Sequence, residues 1–152
     1  MADIILKTTE AVSLHIESLV STIKIADGFE TDIGLRVFQG KRAVDDDEIP
    51  CISIIEGLDH PGDTRNRTEI KTGVDYALVA YLRCDPDRPN TAAHQALRDL
   101  KKVIFEKTRL GFRVGALDYR GRDIGARSDG QPFVMAVLHF TVDIAETLPG
   151  GQ

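Results

Sequence analysis

The stretch Thr68-Glu-Ile-Lys-Thr-Gly-Val-Asp-Tyr-Ala-Leu-Val-Ala-Tyr-Leu-Arg83 alternates for longer than any other run in the chain. Thr68, Ile70, Thr72, Val74, Tyr76, Leu78, Ala80 and Leu82 share one face, and Glu69, Lys71, Asp75 and Arg83 fall on the other. This period predicts one long β-strand. Straight, it would span roughly 50 Å at ~3.3 Å per residue, whereas a compact chain of 152 residues has a diameter of roughly 40 Å. The strand is therefore expected either to bend, with Gly73 as the weak point, or to project as an arm that something else covers.

Phe133–Ala145 matches it in length and apolar character, with Val134, Ala136, Leu138, Phe140, Val142 and Ile144 on one face. The two are expected to pair antiparallel. Cys84–Asn90 carries two prolines that end the first strand. A helix is then predicted from Asn90 or Thr91, with Ala93, Ala96, Leu97, Leu100, Val103 and Ile104 as its buried stripe and Lys101, Lys102 and Lys107 near its C-terminal end.

Upstream, Ile5, Thr8, Val12, Ile16, Leu19, Val20 and Ile23 predict a helix over about residues 4–24, with Asp3 as N-cap and Ala26-Asp27-Gly28 as the stop. Short strands are expected at Leu35–Gln39 and Ile49–Ile55, the second opened by Pro50, with the charged loop Lys41–Glu48 between them and a polar loop at Leu58–Arg67. After the second helix, short strands are expected around Phe112–Val114 and Asp123–Arg127, joined by a turn at Tyr119–Arg122, with a further turn at Ser128–Pro132. The tail, 146–152, reads as loose. This order predicts one α+β domain over residues 1–152: a twisted, mostly antiparallel sheet of about four to six strands, two helices packed on one face, and a long strand pair that bends or projects.

The hydrophobic content of 42% and charged content of 28% are those of a globular protein. No apolar run approaches the ~18 residues of a membrane span, and no basic leader opens the chain, so a soluble intracellular protein is expected. Cys51 and Cys84 form no Cys-x-x-Cys pair; Cys51 is expected as a small buried hydrophobe and Cys84 as a bystander. The net charge of −5 is uneven: residues 1–100 hold 11 basic and 18 acidic groups, residues 101–129 hold 8 and 4. Opposite charge on separate surfaces suits head-to-tail contact between copies.

Catalytic and metal chemistry finds no motif. Asp45 to Glu56 has the end-to-end spacing of a calcium loop, but Pro50 stands where that loop needs a Gly. His15, His60, His94 and His139 are dispersed with no partner at metal spacing. Phosphate-loop, dinucleotide and nucleophile-elbow patterns are absent. Arg109, Arg113, Arg120, Arg122 and Arg127 could face nucleic acid, but Phe112 and Tyr119 are the only aromatics among them. An enzyme, a cofactor and a metal are not expected.

The long N-terminal helix, Gly28-Phe29, Gly34-Leu-Arg-Val37, the charged loop, the strand Ile49-Pro-Cys-Ile-Ser-Ile-Ile55-Glu-Gly57 and the long strand pair split by the second helix together resemble tail terminator (tail completion) proteins of long-tailed bacteriophages. The likeness covers about residues 5–145 and lies in layout, not in a catalytic signature. It implies a subunit of a hexameric ring that caps the tail tube, stops its polymerisation and offers a surface to the head. Its partners would be further copies of itself, the tail tube protein and a head–tail connector, with no membrane and with DNA only as passing cargo. It would act in the virion tail, after assembly in the host cytoplasm. Under this resemblance Tyr76, Leu78, Leu82, Leu138 and Phe140 are candidates for the subunit interface. Lys41, Arg42, Asp45, Asp46, Asp47 and Glu48, with Arg65 and Arg67, are candidates for tube or head contacts. A neck or connector protein, a tube subunit, and a small DNA-associated regulatory module using Arg109–Arg127 stay open as alternatives.

Overall fold

The long alternating run forms a single strand, Glu69–Arg83, at the centre of a five-stranded sheet. A computed structural model describes residues 8–62, 69–107, 117–126 and 130–147. In chain order the elements are α1 (Thr9–Val20), β1 (Val37–Gln39), β2 (Cys51–Pro61), β3 (Glu69–Arg83), α2 (Pro89–Lys101), β4 (Leu117–Ala126) and β5 (Phe133–Thr147). The sheet order is β1-β2-β3-β5-β4, with β1 parallel to β2 and the other three pairings antiparallel. The protein is α+β, and both helices lie against the sheet.

β3 and β5 pair without interruption from Glu69↔Thr147 to Arg83↔Phe133. No register shift occurs at Gly73. What Gly73 provides is room: a Cβ there would stand 2.9 Å from Asp143 Oδ1 and 3.2 Å from Thr141 Cγ2 across the strand pair. The sheet's irregularities lie elsewhere, between Glu56 and Asp59 in β2 and between Tyr119 and Gly121 in β4. Cover for the long pair comes from the helices. At one end the backbone N–H of Thr9, opening α1, donates to Glu146 of β5; at the other the chain leaves β3 directly into α2.

Helix propensity and burial together explain α1 and α2. Thr8 caps α1 by accepting from the Ala11 N–H, and Val12, Ile16 and Val20 are fully buried one turn apart. Asp3, the expected cap, lies outside the described residues. α1 stops at Val20, short of the expected residue 24, because the Ser21 and Thr22 hydroxyls bond back to Ser18 and Leu19 carbonyls and the chain turns. Ile23 is still buried, so the apolar pattern outlasts the helix. Gly34 then crosses this end so closely that a Cβ would lie 2.5 Å from the Val20 carbonyl oxygen. α2 begins on Pro89, whose missing N–H costs nothing at a first turn, and continues through a π-helical turn, Lys102–Lys107.

The main core joins these helices to the even-numbered face of β3 and the matching face of β5: Val74, Tyr76, Leu78, Ala80 and Leu82 against Val134, Ala136, Leu138, Phe140 and Val142. Tyr76 and Phe140 stack at 5.6 Å, and the Tyr76 hydroxyl is 2.8 Å from the Ser13 hydroxyl of α1. Asp99 of α2, itself buried, accepts from the backbone N–H of Glu30 (3.1 Å), and from the N–H (2.8 Å) and hydroxyl (2.6 Å) of Thr31. It ties the segment after α1 to α2.

Three expected boundaries are corrected. Leu58–Pro61, read as loop, belongs to β2, because a bulge at Gly57-Leu58 lets the polar end of that strand pair with β3. Tyr119–Arg122, read as a turn, lies inside β4, where Gly121 at φ 113° accommodates an extra residue. Glu146 and Thr147, read as tail, complete β5. Phe112–Val114 and residues 148–152 lie outside the described residues.

Candidate functional site

The helices cover one face of the sheet; among the described residues, the loop Lys41–Glu48 packs on part of the other. Strand pairing assigns Cys51, Ser53 and Ile55 of β2, Asp75, Ala77, Val79 and Tyr81 of β3, and Phe133, Met135, Val137, His139 and Thr141 of β5 to this second face. Three zones follow one another along it.

The first is a small core of its own. Val44 and Ile49 fold down from the charged loop onto Cys51, Tyr81 and Phe133, with Phe38, Val79 and Met135 packed at its margin. Burial there pushes the Cys51 thiol up to about 11, so it stays protonated and unreactive at neutral pH. The loop above it is tightly tied. Asp45 caps the 3-10 turn Asp46–Glu48, and Glu48 reaches back to the Asp45 N–H. Lys41 binds Glu48 at 2.6 Å and also sits 4.5 Å above the Phe38 ring. Arg83 donates to the Asp46 carbonyl, and the buried Ser53 hydroxyl to the Lys41 carbonyl. The Lys41–Glu48 bond holds the Glu48 carboxyl below its ordinary range and the Lys41 ammonium above its own. Arg42, Asp45, Asp46 and Asp47 remain exposed.

The second zone is an apolar strip. Ile55, Ala77, Val79, Met135 and Val137 are each half-buried, on three adjacent strands. The third is polar, beside a cleft of about 510 Å³ lined by His60, Asp75, Tyr76, Arg120, His139 and Phe140. His60 Nε2 lies 2.8 Å from Asp75 Oδ2, and the Thr141 hydroxyl donates to Asp75 Oδ1 at 2.7 Å. Arg120 Nε donates to the Thr141 hydroxyl at 3.1 Å, and its Nη2 is 3.7 Å from Asp118. His139 lies 3.4 Å from Asp123. The His60 and Thr141 bonds hold the Asp75 carboxyl below its ordinary value. With its hydroxyl hydrogen committed to Asp75, Thr141 serves as a strut between β3 and the β4 bulge.

The sequence-based candidates divide sharply. Tyr76, Leu78, Leu82, Leu138 and Phe140, expected at a subunit interface, are 0–5% exposed in the core beneath the helices. That assignment is corrected: side chains so placed cannot touch another subunit. Of their alternation partners on the second face, Ala77, Val79, Val137 and His139 are half-buried. Lys41, Arg42, Asp45, Asp46, Asp47 and Glu48 do lie together at the surface, whereas Arg65 and Arg67 fall outside the described residues. Of the arginines considered for nucleic acid, Arg120 is bound into the polar zone, Arg122 is exposed on β4, and Arg109, Arg113 and Arg127 fall outside the described residues or side chains. His15 is half-buried in α1 and held below its usual value by that burial; His94 is exposed on α2.

The polar network was not anticipated. Its signal is the polar alternation His139, Thr141, Asp143 on β5, which faces away from the apolar set. Bringing Asp75, Arg120 and His60 beside it requires the pairing register and two bulges. Among the described residues no group of three or more His, Cys, Asp or Glu side chains is arranged to hold a metal ion, and no helix is long and apolar enough to cross a membrane. Compared with known proteins, the chain matches no family model and no curated sequence.

Proposed function

We propose that this chain is a structural subunit of a long-tailed phage virion, of the tail-terminator kind. Copies of it close head to tail into a hexameric ring on the end of the tail tube, stop further polymerisation and offer a surface to the head–tail connector. The observation that carries the assembly part of this reading is the open sheet face. Ile55, Ala77, Val79, Met135 and Val137 form a contiguous strip that the protomer itself leaves half-covered. Contiguous apolar surface that stays partly accessible is a feature of contact sites between proteins. The terminator part rests on the layout of helix, charged loop, proline-opened strand and split long strand pair described above. The acidic balance of −5 agrees with a ring through which DNA passes without sticking, since fixed cations would bind phosphates.

Light scattering and negative-stain imaging of the purified protein, alone and with tail-tube protein, test the proposal. A closed ring with a central hole that halts tube growth is expected. Long cylinders of the protein alone would make it a tube subunit instead. A monomer at micromolar concentration that never rings, even with tube protein present, would overturn the reading.

A further inference from the structure

On the helix side of the sheet, where the end of α2 and its π-helical extension meet β4, lies a groove of about 580 Å³. Arg98, Lys101, Lys102, Phe105, Glu106 and Tyr119 line it. Phe105 meets Tyr119 edge to face at 6.0 Å, and Tyr119 is 49% exposed, too much for a core aromatic. The cations are not equivalent. Arg98 is spoken for by Glu30, in two hydrogen bonds of 2.6 and 2.8 Å. Lys101 instead stands 5.2 Å over the Tyr119 ring and Lys102 5.3 Å over Phe29. Among the described residues neither ammonium meets a carboxylate within salt-bridge distance. Two positioned ammonium groups beside an exposed ring, with Glu106 the single lining carboxylate among the described residues, fit an acidic partner segment.

The chain carries one segment of that description on its other side. The turn Asp45–Glu48 is rigid through its capping box, and its exposed Asp45, Asp46 and Asp47 stand at successive positions. It is pinned to the open face by Val44 and Ile49, with the whole sheet between it and the groove. It cannot reach the groove of its own protomer. We propose that the groove receives the acidic turn of a second copy. Two different surfaces, each matched to the other and not to itself, make a heterologous contact, which closes into a ring or runs on as a filament. The inference rests on the self-assembling reading above and assigns its charged contact. It also moves the Asp45–Glu48 turn from tube contact to subunit contact.

The test is a charge swap read by sedimentation velocity on the full chain, with circular dichroism confirming the fold of each variant. Lys101→Glu with Lys102→Glu, and separately Asp46→Lys with Asp47→Lys, are each expected to raise the half-assembly concentration about tenfold or more. Lys101→Ala with Lys102→Ala is expected to do the same more weakly, without placing new acid at a helix end. The chain carrying both reversals is expected to assemble again. Wild-type assembly should weaken as salt rises from about 50 to about 500 mM. If the wild type assembles but neither reversal disturbs it, this contact is wrong and the ring reading stands. If the wild type never assembles, both fall. Rings that persist in the turn variant but no longer cap tubes would return the turn to tube contact and overturn the inference. So would a groove variant that loses binding to a DNA oligomer while assembling normally.

Discussion

Val137 and Leu138 are neighbours in sequence and of nearly the same character, yet they belong to different environments. Leu138 faces the helices and is fully buried; Val137 faces the open side and is half-buried. The same division of faces runs along β3 and β5, although Tyr81, Phe133 and Thr141 on the open side are themselves buried. One face is completed by the protomer, through α1, α2 and the Asp99 anchor. The other is completed at one end by the charged loop, occupied at the opposite end by a hydrogen-bonded polar network, and half-buried between. The difference teaches where stability is concentrated and, under the assembly proposed above, where association would occur. Residues on the first face hold the chain folded; on the second, Cys51, Tyr81 and Phe133 do so too, and the half-buried Ile55, Ala77, Val79 and Val137 belong to the proposed contact.

Substitutions on the two faces should therefore separate the two properties. The largest effect is expected for Leu138→Ala, which opens a cavity in the closed core and should cost about 2–5 kcal/mol in urea denaturation of the monomer. Val137→Ala, one residue away, is expected to change that stability by roughly 0.5 kcal/mol or less while weakening assembly. Equal losses at the two positions would break the comparison. Asp99→Ala removes the buried acceptor of three donors, and about 3 kcal/mol is expected, near the upper end for a lost charged acceptor. If that variant is as stable as wild type, the segment around Thr31 is not fastened by α2.

The smallest expected effect concerns the polar end of the open face. The Asp75 carboxyl is held below its ordinary value of 3.8, first by the His60 bond and then by that of Thr141. A carboxyl depressed in the folded state contributes stability above its unfolded value and loses that contribution as pH falls through the folded one. Stability should accordingly drop on acidification below about pH 4, and Asp75→Asn should make that part of the drop disappear. The side chain is 39% exposed, so solvent screening keeps the effect small. An unchanged acid limb in Asp75→Asn would remove this carboxyl from the account.

Much of this architecture is legible in local pattern. Alternation along Thr68–Arg83 and Phe133–Ala145 identifies both long strands and the face each buries, because side chains on a strand point alternately to opposite sides. The stripes from Val12 to Val20 and from Ala93 to Leu100 identify the helices for the equivalent reason at period 3.6. Pattern fails where backbone irregularity replaces it. Leu58 and Arg120-Gly121 read as loop and turn, yet each belongs to a bulge inside a strand, stabilised by a neighbouring strand that local sequence does not identify.

Alternation by itself determined which residues of β3 and β5 are equivalent; it could not say which of the two faces the chain's own helices cover. That was decided by tertiary structure, because the same apolar strand face suits a helix of its own chain or a neighbour's surface equally well. Hydrophobic burial is non-directional, and the packing of α1 and α2 against Tyr76, Leu78, Leu138 and Phe140 uses that face within the protomer. Asp75, Thr141 and Arg120 became one network, and the acidic turn and basic groove took opposite sides of the sheet, for a similar reason. Pairing register and connections, set by contacts far apart in the chain, put them there.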